Sequence, residues 1–155
     1  MLRHYRRLAT SLALCIMLAV AGKAHAATTV TPDASPTAAQ TAAARRALPN
    51  DFREAERISH HPLTFTVGLA DLNGDGRPDL IIHYTDRGWC GSSGCLSYAL
   101  LAGPGGYSTQ AITLVYFGQT MTVLDSIHHG MHDLRFDDST YVFRWTGTAY
   151  QGSAE

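Results

Sequence analysis

The segment Asp71-Leu72-Asn73-Gly74-Asp75-Gly76-Arg77-Pro78-Asp79 constrains this chain more than any other, because runs that read as strands lie on both sides of it. Leu63, Phe65, Val67 and Leu69 alternate with small or polar neighbours before it, and Leu80-Ile81-Ile82-His83-Tyr84 follows it. Such alternation marks a half-buried strand. Similar runs recur at Leu96 to Ala102, Tyr107 to Tyr116, Thr120 to Ile127, Asp133 to Phe136, Tyr141 to Trp145 and Ala149 to Gln151. Turn residues separate them, Gly103-Pro104-Gly105-Gly106 most plainly. The spacing predicts an all-β domain of about seven or eight strands, as a sandwich, a barrel or a strongly curved sheet. One short helix is expected ahead of the strands. Asn50 is its N-cap, Phe52, Ala55 and Ile58 recur at helical spacing, and His60-His61-Pro62 stops it.

The acidic segment itself carries chemistry. Side-chain oxygens fall at its positions 1, 3, 5 and 9 (Asp71, Asn73, Asp75, Asp79), and Arg77 at position 7 offers its backbone carbonyl. A hard cation that takes six to eight oxygens suits that spacing, so calcium is the expected cofactor. Position 12 is Ile82 where an EF-hand has glutamate, so Asp79 would have to supply the bidentate carboxylate. Three carboxylates this close repel one another when no cation is present.

The N-terminus reads as a cleavable export signal. Arg3, Arg6 and Arg7 precede the apolar stretch Leu8 to Ala21, and Ala24-His25-Ala26 offers a small-x-small cleavage site. The stretch is shorter than the roughly 20 residues of a membrane-spanning helix. Cys15 sits in mid-stretch behind the bulky Leu14, which argues against lipoprotein processing. Cleavage after Ala26 would remove four of the 12 basic residues and none of the 13 acidic ones, for a net charge of −5. That balance disfavours nucleic acid. Residues 27–47, almost entirely Ala, Thr, Pro, Ser and Gln, read as a flexible tether, with the calcium-stabilised β domain at 48–155.

Export would leave Cys90 and Cys95 as the remaining thiols, and an oxidising compartment favours a disulfide between them. The spacing is neither the CxxC of redox enzymes nor a zinc set. His128, His129, Met131 and His132, with His60 and His61, raise a copper-type site, but adjacent residues on a strand face opposite ways and Gly130 signals a turn. Asp125, Ser126 and His128 are the nearest approach to nucleophilic machinery, and their local spacing alone says little about a triad. The expectation is therefore a non-enzyme.

Two pieces together resemble a family. They are the run from Ala70 through the acidic loop to Trp89-Cys90-Gly91-Ser92-Ser93-Gly94-Cys95, and His129-Gly130-Met131-His132-Asp133-Leu134 followed by Tyr141-Val142-Phe143-Arg144-Trp145. The chain is similar to exported, calcium-loop β proteins of Gram-negative bacteria. These include periplasmic immunity proteins against secreted peptidoglycan hydrolases, related in fold to inhibitors of invertebrate-type lysozyme. The resemblance implies a periplasmic protein inhibitor with a peptidoglycan hydrolase as its partner. It also implies calcium at Asp71, Asn73, Asp75, Asp79 and the Arg77 carbonyl. The competing reading is a calcium-stabilised envelope module with a scaffolding or adhesive task. Tyr84, Arg87, Trp89 and Ser92, lying between or within the calcium and cystine loops, are the candidate partner-binding residues, being mostly types that anchor interfaces.

Overall fold

The computed structural model describes residues 27–154. The export signal expected at 1–26 lies outside the described residues. In chain order the elements begin with β1 (Thr28–Val30), α1 (Ala38–Ala47), α2 (Pro49–Ser59), β2 (Phe65–Ala70) and β3 (Asp79–Tyr84). Then come β4 (Cys90–Gly91), β5 (Gly94–Cys95), β6 (Ser97–Leu100), β7 (Ala102–Gly103), β8 (Gly106–Tyr107) and β9 (Ile112–Thr113). The chain finishes with β10 (Met121–His128), β11 (Met131–Phe136), β12 (Tyr141–Trp145) and β13 (Tyr150–Ala154).

The long strands form two antiparallel sheets, ordered β2-β3-β6-β9 and β1-β10-β11-β12-β13, and the remaining pairs are two-residue ribbons. The domain is all-β in character, and its sheets do not close into a barrel. The four-stranded sheet is the middle layer. Leu80, Ile82 and Tyr84 of β3 face Phe65, Val67 and the helical residues Ala43, Ala44, Phe52 and Ala55. Ile81 faces the other way, into a second core with Leu72, Phe117, Met121, Leu134 and Phe136. Every residue of β3 is therefore buried. A strand covered on both faces reads as a continuous apolar run, as Leu80-Ile81-Ile82 does.

Residues 27–47 are not a flexible tether. β1 pairs with β10 along the edge of the five-stranded sheet, and Ala34 bridges to Val67. Gly68 permits this arrangement, since a Cβ there would lie 2.7 Å from Val30 Cγ1. α1 is a second helix that the apolar pattern does not show. Thr37 and Gln40 form a reciprocal capping box at its start. Its small Ala43 and Ala44 bury themselves by close approach rather than by bulk. α2 matches the expected helix, but its cap is Leu48 with Pro49 at the first turn, not Asn50. His60, in the left-handed conformation, ends it.

Strand expectations shift at three places. The strand placed from Leu63 begins at Phe65, and Leu69 is exposed at its far end. Tyr107 to Tyr116 breaks into β8 and β9. The hairpin β10–β11 carries a bulge, where Leu124 to Ser126 stand opposite Asp133 alone.

Candidate functional site

The acidic loop joins β2 to β3 and is tied to both sheets. Leu72 plugs the core between them, and its carbonyl accepts the His132 backbone N–H at 2.8 Å. Asp71 Oδ1 accepts from the Gly74 and Asp75 N–H groups, and Oδ2 from Gly76. Asp75 accepts from the Arg77 N–H, the Asn73 amide and the Arg77 guanidinium, the last at 2.7 Å. The Arg77 backbone bond, followed by those side chains, lowers its pKa against the opposing effect of desolvation. Asp79 is fully buried and turned inward, with Oδ2 accepting from Leu72 N–H at 2.8 Å and Oδ1 from Ala102 N–H at 2.7 Å. Burial raises its pKa, the two N–H bonds oppose that, and the charges of Asp71 and Asp75 add to the rise.

The donor set is hard oxygen throughout, which fits calcium chemically. Asp71 Oδ2, Asp75 Oδ1 and both Asp79 oxygens accept one hydrogen bond each and keep a lone pair for a cation, whereas Asp71 Oδ1 and Asp75 Oδ2 each accept two. The carboxylates do not, however, close on one point: among the described residues no three His, Cys, Asp or Glu side chains form a metal-holding group. Asp79 acts as a staple between the loop and the Leu100–Ala102 turn. Repulsion among the carboxylates is offset by backbone N–H groups and Arg77, so the loop keeps its shape through its own bonds.

The second loop follows β3. Asp86 caps the 3-10 turn Arg87–Trp89 through Gly88 N–H, and the Cys90–Cys95 disulfide closes the ribbon β4–β5. Cys95 pairs through its backbone with Phe117, which seats the ribbon on the second core. Gly94 is required there, with φ at 104° and a would-be Cβ 2.1 Å from the Phe117 oxygen. Arg87 and Ser92 are exposed on this framework. Tyr84 is not: it is wholly buried, with its hydroxyl donating to Asp51 Oδ2 at 2.8 Å. Its place in the partner-binding set is corrected to a core residue, because β3 lies in the middle layer and its even-numbered residues point at the helices. Trp89 is half-buried, edge-on to Tyr84 at 5.5 Å. Its outer side borders a groove of about 230 Å³ shared with Glu54, Ala55 and Ile58. Ile58 is 60% exposed. Its pairing with Trp89 was not foreseen from sequence, where Ile58 reads only as the last apolar position of a helix.

Chain comparison gives no family. Neither known protein families, nor characterised proteins, nor solved structures yield a match to it.

Among the described residues the histidines do not converge on a metal-holding group. His129 and Gly130 form the β10–β11 turn with φ of 49° and 81°. His128 Nδ1 bonds Asp133 Oδ1 at 2.7 Å, His132 Nδ1 bonds the Leu124 carbonyl, and His61 Nδ1 bonds the Pro62 carbonyl. Ser126 donates to the same Asp133, at 2.6 Å, rather than to His128. Ser126 and His128 thus share a carboxylate and do not form a nucleophile–base pair.

Proposed function

We propose that this chain is an exported, calcium-stabilised inhibitor of a peptidoglycan-cleaving hydrolase. The observation that carries the reading is the displayed ribbon at 86–95, held by Asp86, the disulfide and Phe117 and presenting Arg87 beside the Trp89–Ile58 groove. A pre-shaped loop loses little conformational entropy on docking, and a groove of this size accepts one partner side chain. The mature charge of −5 favours encounter with the basic surface that a wall hydrolase needs for its anionic substrate. Calcium binding by Asp71, Asn73, Asp75, Asp79 and the Arg77 carbonyl would require these oxygens to exchange part of the loop's own hydrogen bonding for a shared point, and would then stiffen the β2–β3 connection.

The test is wall hydrolysis by candidate lytic effectors and a lysozyme panel, with and without the purified mature chain. Protection that weakens in Arg87→Ala and Ile58→Asp at unchanged melting temperature supports the reading. Trp89→Ala is a poorer probe, because the packing of Trp89 on Tyr84 makes it lower stability as well. Absence of protection against every hydrolase tried would put the envelope-module reading ahead. Calcium is tested separately: chelator should lower the melting temperature, and added calcium should restore it better than magnesium.

A further inference from the structure

On the opposite side of the four-stranded sheet from the helices, an open niche of about 370 Å³ lies where β2 and β3 meet the Gly118–Gln119 turn. His83 lines it and is the one imidazole of β3, 7% exposed. One ring face packs on Phe117 at 4.7 Å between centroids. Nδ1 lies 2.8 Å from Ser97 Oγ, and Ser97 Oγ donates to the Cys95 carbonyl at 3.2 Å. The Ser97 proton is thereby committed, so Nδ1 carries the hydrogen and donates to Ser97. Nε2 is left as an acceptor, and it has no hydrogen-bond partner among the described residues.

The lining around it has one chemical bias. Thr31, Thr66, Thr85 and Gln119 supply hydroxyls and an amide, and Asp33 supplies a carboxylate. Thr66 spends its proton on the Pro32 carbonyl and so faces the niche as an acceptor too. Among the described residues no Lys or Arg lines it. The Asp33 carboxylate, with no cation to offset it, disfavours a phosphate or carboxylate ligand, and hydroxyls and an amide that both donate and accept, beside the acceptor Nε2, suit a neutral ligand rich in hydroxyls. The volume falls within the roughly 300–1,000 Å³ of small-molecule sites. Burial also lowers the His83 pKa, against the opposing charge of Asp137, which favours the neutral imidazole.

We propose that the His83 niche binds a neutral, hydroxyl-rich small molecule of the saccharide class, with Nε2 accepting one hydroxyl and Thr85 and Gln119 holding its neighbours. This site is separate from the ribbon at 86–95 and does not rest on the inhibitor reading.

The experiment is an NMR titration of the mature chain with cellobiose and with N,N′-diacetylchitobiose, and with inorganic phosphate as the anionic control. Binding of either sugar should move the His83 Nε2 resonance and the amides of Thr85, Gly118 and Gln119. Thr85→Ala and Gln119→Ala change exposed side chains and should each weaken binding roughly fivefold while leaving the spectrum folded. His83→Gln, which also touches the Ser97 bond, should abolish it. The proposal fails if neither sugar perturbs these signals at about 100 mM, a concentration that detects affinities weaker than millimolar. It also fails if the shifts persist unchanged in the two surface variants, or if phosphate produces them instead. Hydrolase protection is read in a different assay, so either idea can fall without the other.

Discussion

Asp79 gives the sharpest test of what the acidic loop is for. If its work is to staple the loop, Asp79→Ala should destabilise the protein even in chelator. The change strands the buried Leu72 N–H and the partly buried Ala102 N–H, both bonded to a carboxylate at 2.7–2.8 Å. Each such bond is worth about 1.5–3 kcal/mol, and relief of the buried charge beside Asp71 and Asp75 returns part of the loss. The net cost should be about 2–4 kcal/mol, large for one substitution in a domain of this size. Urea unfolding followed by the fluorescence of Trp89 and Trp145, with chelator throughout, measures it. With a slope of about 2 kcal/mol per molar, the midpoint should fall by about 1–2 M. Asp75→Ala, on an exposed carboxylate, should shift the midpoint in chelator much less and remove the calcium response instead. An Asp79→Ala protein as stable as the parent in chelator, differing only when calcium is added, would refute the staple and make Asp79 purely a ligand.

Three further outcomes follow from the packing. Gly94→Ala places a Cβ against the Phe117 backbone and should cost more than about 3 kcal/mol, read as a large fall in melting temperature; a fall of only a degree or two would contradict the close approach. Tyr84→Phe and Tyr98→Phe should each cost about 1–2 kcal/mol, and since both hydroxyls donate to Asp51 Oδ2, the double variant should fall short of the sum; strict additivity would argue against the shared acceptor. Burial would raise the Asp137 pKa, but N–H bonds from Gly118, Thr120 and Gln119 outweigh it and hold the folded value below 3.8. A depressed carboxylate stabilises fully above its unfolded pKa and loses that contribution as pH falls through the folded one. Asp137→Ala should therefore flatten the loss of stability below about pH 4, and parallel acid limbs in the two proteins would refute it.

What could be read from residues alone follows physical lines. β3, β10 and β12 were legible because alternation or an unbroken apolar run reports the faces a strand must bury. The cystine loop was legible from two cysteines with only Gly and Ser between them, and the disulfide is present. The order of residues 27–47 does not show in the apolar pattern because the segment packs with small residues, and alanine has no amphipathic contrast to display. Two local signals did point to order there: the Thr37-x-x-Gln40 box and the β-branched Thr28-Thr29-Val30. Tyr84 looked like an interface anchor because its type suits both roles, and only the helical layer over β3 decides between them. The juxtaposition of Ile58 with Trp89, and the niche at His83, join residues far apart in sequence, which no local pattern encodes.

β3 also has a consequence for how the molecule opens. Its two faces belong to different cores, and its edges are paired to β2 and β6. Neither core can come apart at this strand while the other survives, so the helical layer and the five-stranded sheet are cooperatively linked through six residues. Amide protons of Leu80 to His83 should then exchange with solvent only when the whole domain unfolds, whereas the ribbons β4–β5 and β7–β8 exchange through small local openings. Measured protection along β3 would give the global free energy of unfolding directly, and it would report damage to either layer from the same few signals.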